Sequence, residues 1–356
     1  MSGINPLSEL EAETRNTNVA DATSVLAGLT THPRRAKRRR SGGFNVSGRF
    51  WVAAALVGFV ILMAFIGPLV YPFGAGEKVG GLYDNPSATH LLGTDNFGHD
   101  VISVLMTGAR NSLYNGLVAG LVATAIGVAI GVLAGYVGGW LEELLMGITN
   151  VVLAVPAIVV LILISISLQN TSVGFLKGIM GLALVIGFTS WPWTARAVRA
   201  QASSVATREH IDIAKLSGAR TPGILWRDVL PYLASYIVMA FVLQVAGAIL
   251  AEASLSMLGL GPSDVVSLGV QLHWAIAFQA VGSGAWWAFL PPTIILTLVS
   301  FGLLLLQSSL DELFNPRLRR GKRKAMKAAA ERRAAAAAQL QTQPAGLAAG
   351  AEEVLA

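Results

Sequence analysis

Apolar positions along this chain fall into long unbroken runs, and polar positions gather in the intervals between them. Six runs stand out: Val52 to Tyr71, Leu113 to Tyr136, Leu144 to Leu168, Gly178 to Trp193, Leu233 to Ala251, and Ala288 to Leu310. A bilayer's hydrocarbon core asks for about 20 apolar residues per helix, so the pattern predicts an all-α polytopic membrane protein with six transmembrane helices. The second run carries Gly116, Gly120, Gly127, Gly131 and Gly135, with Ala119 and Ala123 beside them. Small residues at four-residue spacing let helix backbones approach closely in lipid, which predicts a span enclosed by other helices. Pro156 predicts a kink in the third run, and Trp191-Pro192-Trp193 a bend at the end of the fourth.

The polar intervals divide the chain further. Residues 1–50 form an N-terminal tail predicted to be disordered, with a basic cluster from Arg34 to Arg40. Residues 51–112 hold the first span and a turn-rich segment, 113–316 a core of five spans, and 317–356 a basic C-terminal tail. In the turn-rich segment Asp95 and Asp100 flank glycines. Their spacing lacks the dense oxygens and distal Glu of an EF-hand loop, so capping of backbone N–H groups is the expected role. The interval 259–286 is apolar and aromatic and reads as a re-entrant or interfacial helix. Within the C-terminal tail, Ala325 to Gln343 is a helix by propensity.

The interval 196–231 is the long polar loop amid the spans. Ile211, Ala214 and Gly218 share one helical face, Glu209 and Asp212 lie on a polar side, and Leu225 and Val229 form an i, i+4 pair in a second short helix. Two such helices lying flat at a membrane surface suit a groove on a soluble partner. A solvated loop with no partner fits the same spacing.

Charge sets the orientation. Of 26 Lys and Arg, 23 lie in residues 1–50, 196–231 and 317–356. Lys/Arg excess marks cytoplasmic segments, and six spans put these three intervals on one side of the membrane. The basic residues therefore report topology and attraction to anionic lipid, not nucleic acid. Charged residues make up 13% of the chain, against about 25% in soluble domains. The spans hold almost none of them beyond Glu252 at the edge of the fifth, which argues against ion-coupled transport and against a charged selectivity filter. Cysteine is absent, and with it disulfides, thiolate metal sites and thiol nucleophiles. There is no Walker-type phosphate loop, no H-E-x-x-H and no nucleophile elbow. No catalytic residue and no metal site is expected, and the first apolar run lies too far from the start for a cleavable signal.

Three ordered motifs carry a resemblance. Asp212-Ile213-Ala214, Gly218 and Leu230-Pro231 resemble the E-A-A loop of binding-protein-dependent ABC importer permeases, with Asp212 and Ile213 replacing Glu and Ala. Leu92-Gly93-Thr94-Asp95, Gly98, Asp100 and Gly108-Ala109-Arg110 resemble a signature of the dipeptide/oligopeptide/nickel branch, C-type subunit, with His99 replacing an Arg. Glu252 to Gly261 and Asp311 to Arg317 are similar to two further stretches of that branch. The resemblance spans about residues 50–320 and implies a type I ABC importer permease fold. It implies a cytoplasmic-membrane subunit of a prokaryote, both termini inside, paired with a second permease subunit, two ATP-binding subunits and an extracytoplasmic solute-binding protein. ATP and Mg would sit on the ATPase partners, and this chain would bind no cofactor. Glu209, Asp212, Ala214, Gly218, Ala219, Leu225, Leu230 and Pro231 would form the coupling element. Gly93, Thr94, Asp95, Gly98, Asp100 and Arg110 would form the outer segment. Glu252, Ser256, Gly259, Gly261 and Trp274 would gate the outer mouth or meet the binding protein. Peptide cargo is the expectation, with nickel, glutathione or another small solute open, and a membrane scaffold or sensor without an ATPase as the alternative of another class.

Overall fold

The computed structural model describes residues 48–169, 173, 178–262 and 265–314. Residues 1–47 of the expected N-terminal tail, the C-terminal tail with the 325–343 helix, and most of the 169–177 loop lie outside these residues, as does the end of the motif at 315–317, while residues 48–50 already belong to the first helix. Among the described residues the secondary structure is helical, with two isolated β-bridges, Lys78 to His99 and Thr94 to Asp100.

The described residues open with α1 (Gly48–Phe65) and the short α2 (Gly67–Val70). A turn-rich cap leads to α3 (Val101–Val137), then α4 (Gly139–Ala154) and α5 (Ala157–Gln169). After α6 (Ile179–Ala206) come α7 (Glu209–Leu216), α8 (Thr221–Ile224), one π-helical turn (Leu225–Val229) and α9 (Leu230–Met257). The set closes with α10 (Leu268–Ala277) and α11 (Trp286–Phe314).

α3 is the central strut, and its glycines explain why. A Cβ added at Gly131 would lie 2.6 Å from the Ala195 carbonyl oxygen, and one at Gly135 would lie 2.5 Å from that of Arg199, both on α6. One at Gly120 would lie 3.0 Å from the Val245 nitrogen on α9. The small-residue stripe is thus two stripes, one per neighbour, and backbone-to-backbone packing replaces the hydrophobic drive that lipid removes. α6 makes the most extensive helix contact in the structure with α3. A second core joins α1, α9 and α11 through Val60, Ala64, Ile249, Val299 and Leu303.

Several expectations change. The second span begins at Val101, not Leu113, so a boundary at 112/113 falls inside an unbroken 37-residue helix. Its first turns face the cap and α10, so Ser103 and Ser112 are buried against protein without an apolar run to announce them. Pro156 does more than kink the third run: α4 and α5 meet at 79°. α6 runs through Pro192 to Ala206 without ending at the Trp-Pro-Trp stretch, the proline being buried within the helix. Among the described residues four helical runs are long and apolar enough to cross a membrane, and the bent α4–α5 pair makes a fifth if it is counted as one span. α6, which carries the fourth predicted run, is not in that set, because Ser190 to Thr194 and two arginines follow its apolar first half.

Candidate functional site

The polar loop folds as an elbow between α6 and α9. α7 starts with Glu209 and Asp212 in its first turn and carries Lys215 in its last, charges that complement the helix dipole. It ends in a Schellman motif: the Gly218 N–H donates to the Lys215 carbonyl at 3.0 Å, and the Ala219 N–H to that of Ala214 at 3.1 Å. Gly218 has φ +78°, the left-handed region that side chains disfavour. The spacing of Ala214, Gly218 and Ala219 is therefore the spacing of a helix stop. Beyond it, Pro222 sits in the first turn of α8.

One side of the elbow is anchored. Ile211, Ile224 and Val229 are fully buried with Val132 of α3 and Val198, Ala202 and Val205 of α6, and Ala214, Leu225 and Leu230 pack against them. The Arg208 guanidinium lies 4.4 Å from the Tyr232 ring centre, tying the start of α7 to α9. The other side is bare: Ile213, Leu216 and Trp226 are 63%, 88% and 75% exposed. The predicted second surface helix is not separate. α8, the π turn and α9 form one continuous run, Thr221–Met257, with Leu225 and Val229 in the π turn and Pro231 at the start of α9. Continuing into a buried helix satisfies backbone groups that a detached helix would leave at its end.

The opposite end of α3 carries the cap. Asp100 is buried and is the N-cap of α3, accepting from the Ile102 and Ser103 N–H groups at 2.9 and 3.1 Å. Its other oxygen lies 3.1 Å from the Tyr71 hydroxyl, which donates to it, and 2.8 Å from His90 Nδ1. Burial, then the charge and hydrogen bond of Asp100, push the Tyr71 hydroxyl up to about 12. Burial and the nearby Asp95 also raise Tyr83. Asp95 accepts from the Phe97 and His99 N–H groups at 2.8 and 2.9 Å, so both aspartates are turn formers. Gly93 has φ +62°, and a Cβ there would strike the Asp84 carbonyl. Thr94 is buried; its hydroxyl accepts from the Asp84 N–H and its carbonyl from Trp287 Nε1. Gly98 is left-handed, and Arg110 is exposed on α3.

Glu252 does not face outward. It is fully buried and its carboxylate accepts three hydroxyls: Ser112 of α3 at 3.0 Å, Ser256 at 2.8 Å, and Ser267 at 2.6 Å. Ser112 in turn accepts from the Leu268 N–H and Ser267 from the Val270 N–H, so the carboxylate serves the N-terminus of α10 through two serines. Ser256 is buried as well. Gly259 follows the end of α9 with φ +79°, and Gly261 packs on Ser256. Of the five outer-mouth residues, Trp274 lines a cavity of about 200 Å³ together with Asp95, Asn96, Phe97, His99 and Gln271. Its ring meets Phe97 edge-on at 5.4 Å. The structure thus brings the cap motif and α10 together, and places Glu252 and Ser256 beneath them. The roles of Ser112, Ser267, Tyr71 and His90 escaped sequence reasoning. Ser112 meets Glu252 from 140 residues away, and no spacing marks such a pair.

The family described as the binding-protein-dependent transport system inner membrane component matches residues 127–320. This chain belongs to that family. Among its relatives, it is 32% identical over 266 residues to the dipeptide transport system permease protein DppC of Bacillus subtilis, covering 74% of this chain and 80% of that protein. It is 29% identical to the oligopeptide transport system permease protein OppC of the same organism over 272 residues, 76% and 86% of the two chains. It is 32% identical over 252 residues to OppC of Mycobacterium tuberculosis, 70% and 82% of the two chains. Among solved structures, a chain of the MetNI methionine ABC transporter in an inward-facing conformation aligns with a TM-score of 0.45 at 20% identity, covering 58% of this chain and 96% of that one.

Proposed function

We propose that this chain is one of two different permease subunits of an ATP-driven importer of di- and oligopeptides in a prokaryotic cytoplasmic membrane. A solute-binding protein delivers cargo to the cap, and two ATPase subunits, which hold ATP and Mg, engage the elbow from the cytoplasm. Both termini and the elbow lie inside, in line with the basic residues around them. The relatives' peptide specificity supports the cargo.

The single observation that carries the coupling role is the two-sidedness of the elbow. Its inner face is fused to α3 and α6 through Ile211, Ile224 and Val229, while Ile213, Leu216 and Trp226 stand out as an uncovered apolar face. A push on the outer face is transmitted to the spans with no slack between. Glu209, Asp212 and Lys215 rim that face with charge. The cavity beneath Trp274 and Phe97, with the buried Asn96 side-chain nitrogen unpaired among the described residues, fits contact with the binding protein.

The test is reconstitution. The tagged chain, isolated in mild detergent, should bring with it a second permease and two P-loop ATPases. The complex in vesicles should take up peptides on addition of ATP and a binding protein. Replacement of Leu216 and Trp226 by Ser should abolish co-isolation of the ATPases while insertion continues. ATPase retention by that variant, or isolation of the chain alone, would overturn the reading.

A further inference from the structure

A cleft of about 430 Å³ opens between α6, α9 and α11, within the apolar part of the bundle. Its size lies in the range of small-molecule sites, roughly 300–1,000 Å³. No lining residue is charged. Ser190 and Thr194 come from α6, Tyr236 and Gln244 from α9, and Gln307 from α11. Gln244 spans the wall, its amide nitrogen donating to the Ser190 carbonyl at 3.0 Å and to the Thr194 hydroxyl at 2.6 Å. That amide is thereby fixed, with its carbonyl oxygen left to accept. The Tyr236 hydroxyl, the Ser190 hydroxyl and the whole Gln307 amide have no hydrogen-bonding partner among the described residues. On the α9 side the floor is small: Ala240, Ala246 and Gly247, where an added Cβ would meet nothing within 4 Å.

Amides and hydroxyls left uncompensated in hydrocarbon are costly, because no water is there to pair with them. Polar groups at this depth therefore face water or a polar occupant. These groups are neutral, converge from three helices, and include both donors and acceptors. A peptide bond presents one donor and one acceptor wherever it lies in a chain. The opposing side of an apolar helix would leave every one of these groups unpaired.

We infer that this cleft is a cargo subsite inside the membrane, which reads the main-chain amides of a short peptide independently of its side chains. The inference rests on the peptide reading given above. Absence of charge in the wall suits cargo of any sequence, since no ionic contact holds one peptide longer than another.

The chain contains no cysteine, so Gly247→Cys gives it a single thiol, at the floor of the cleft. In vesicles holding both permeases and both ATPases, a water-soluble methanethiosulfonate reagent should modify the thiol introduced by Gly247→Cys. Addition of binding protein and a tripeptide should slow that modification by about fivefold, and a tripeptide methylated on its amide nitrogens should slow it less. Gln307→Leu with Tyr236→Phe should lower peptide uptake about tenfold, the scale of one or two lost hydrogen bonds, while ATP hydrolysis stimulated by the binding protein stays at the wild-type level. Modification of the introduced thiol only by lipid-soluble maleimide would overturn the subsite, as would its cargo-independent burial against the second permease. Wild-type uptake by the double variant would also overturn it, and leave the peptide reading standing. A wild-type complex that takes up no peptide would overturn both.

Discussion

Glu252 accepts a 3.0 Å hydrogen bond from Ser112, a residue 140 positions earlier in the chain. With Ser256 and Ser267 on the same carboxylate, α3, α9 and α10 are joined at one buried point. Glu252→Leu would strand three hydroxyls, at about 1–3 kcal/mol for each one left unsatisfied. Glu252→Gln keeps one acceptor oxygen and turns the other into a donor. The Leu variant should lose several degrees in apparent Tm in detergent, and the Gln variant should lose less. Equal Tm values for wild type and Leu variant would mean that the serines find other partners.

Gly218 closes α7 in the left-handed region, with open space around its Cβ position. The substitution cost there comes from backbone conformation, not from collision. Asn tolerates that conformation and Val does not. Gly218→Asn should therefore retain ATP-driven uptake, and Gly218→Val should uncouple hydrolysis from uptake with insertion intact. Gly218→Arg, bulky on the proposed docking side as well, should be at least as defective as Val. Uptake assays in reconstituted vesicles across the three variants decide the order.

Gly131 packs so closely on α6 that a methyl group would lie 2.6 Å from the Ala195 carbonyl oxygen, whereas one at Gly147 on α4 would meet nothing within 4 Å. Gly131→Ala should force α3 and α6 apart and lower thermal stability and expression. Gly147→Ala should be neutral or stabilising, by up to about 1 kcal/mol from reduced chain freedom. Fluorescence-detected size-exclusion chromatography after heating separates the two outcomes.

Tyr71 supplies a pH prediction. Burial first and Asp100 second push its hydroxyl from the ordinary value of 10.0 up to about 12. A folded-state value above the unfolded one means that the contribution of this group is fully present below about pH 10 and is lost as pH rises through about 12. The wild-type minus Tyr71→Phe absorbance difference near 295 nm should show a midpoint near 12. Asp100→Asn should bring that midpoint part of the way down, since burial remains. A midpoint near 10 in the wild type would show the hydroxyl to be solvated.

The sequence carried the elbow well, because a helix stop is local: Ala214, Gly218 and Ala219 are bound to each other by backbone geometry within six residues. It carried the long apolar helices α1, α9 and α11 for the same reason, as each run declares itself. The start of α3 was hidden, since Asn111 and Ser112 look like loop residues until their hydrogen bonds to Val266 and Glu252 are seen. Pro192 looked like an end because proline disrupts an isolated helix, and here it is buried inside a continuous one. Glu252 read as an acid at the edge of the fifth span, with an outer-mouth role implied by the resemblance. Only the fold reveals that three serines from distant or adjoining segments converge on it. The cleft at Gln244 and Gln307 was equally silent, because each residue alone reads as a tolerated polar group in an apolar helix.

The helical run from Thr221 to Met257 has 37 residues and no sharp break. At 1.5 Å per residue it is a beam about 55 Å long. With its lower tip seated in the elbow and its upper tip at Glu252, a pivot of only about 5° carries one tip through an arc of about 5 Å, close to a full helical pitch. On the function proposed above, subtle repositioning by a motor below the bilayer would be magnified, by length alone, into a displacement wide enough to unseal the far side.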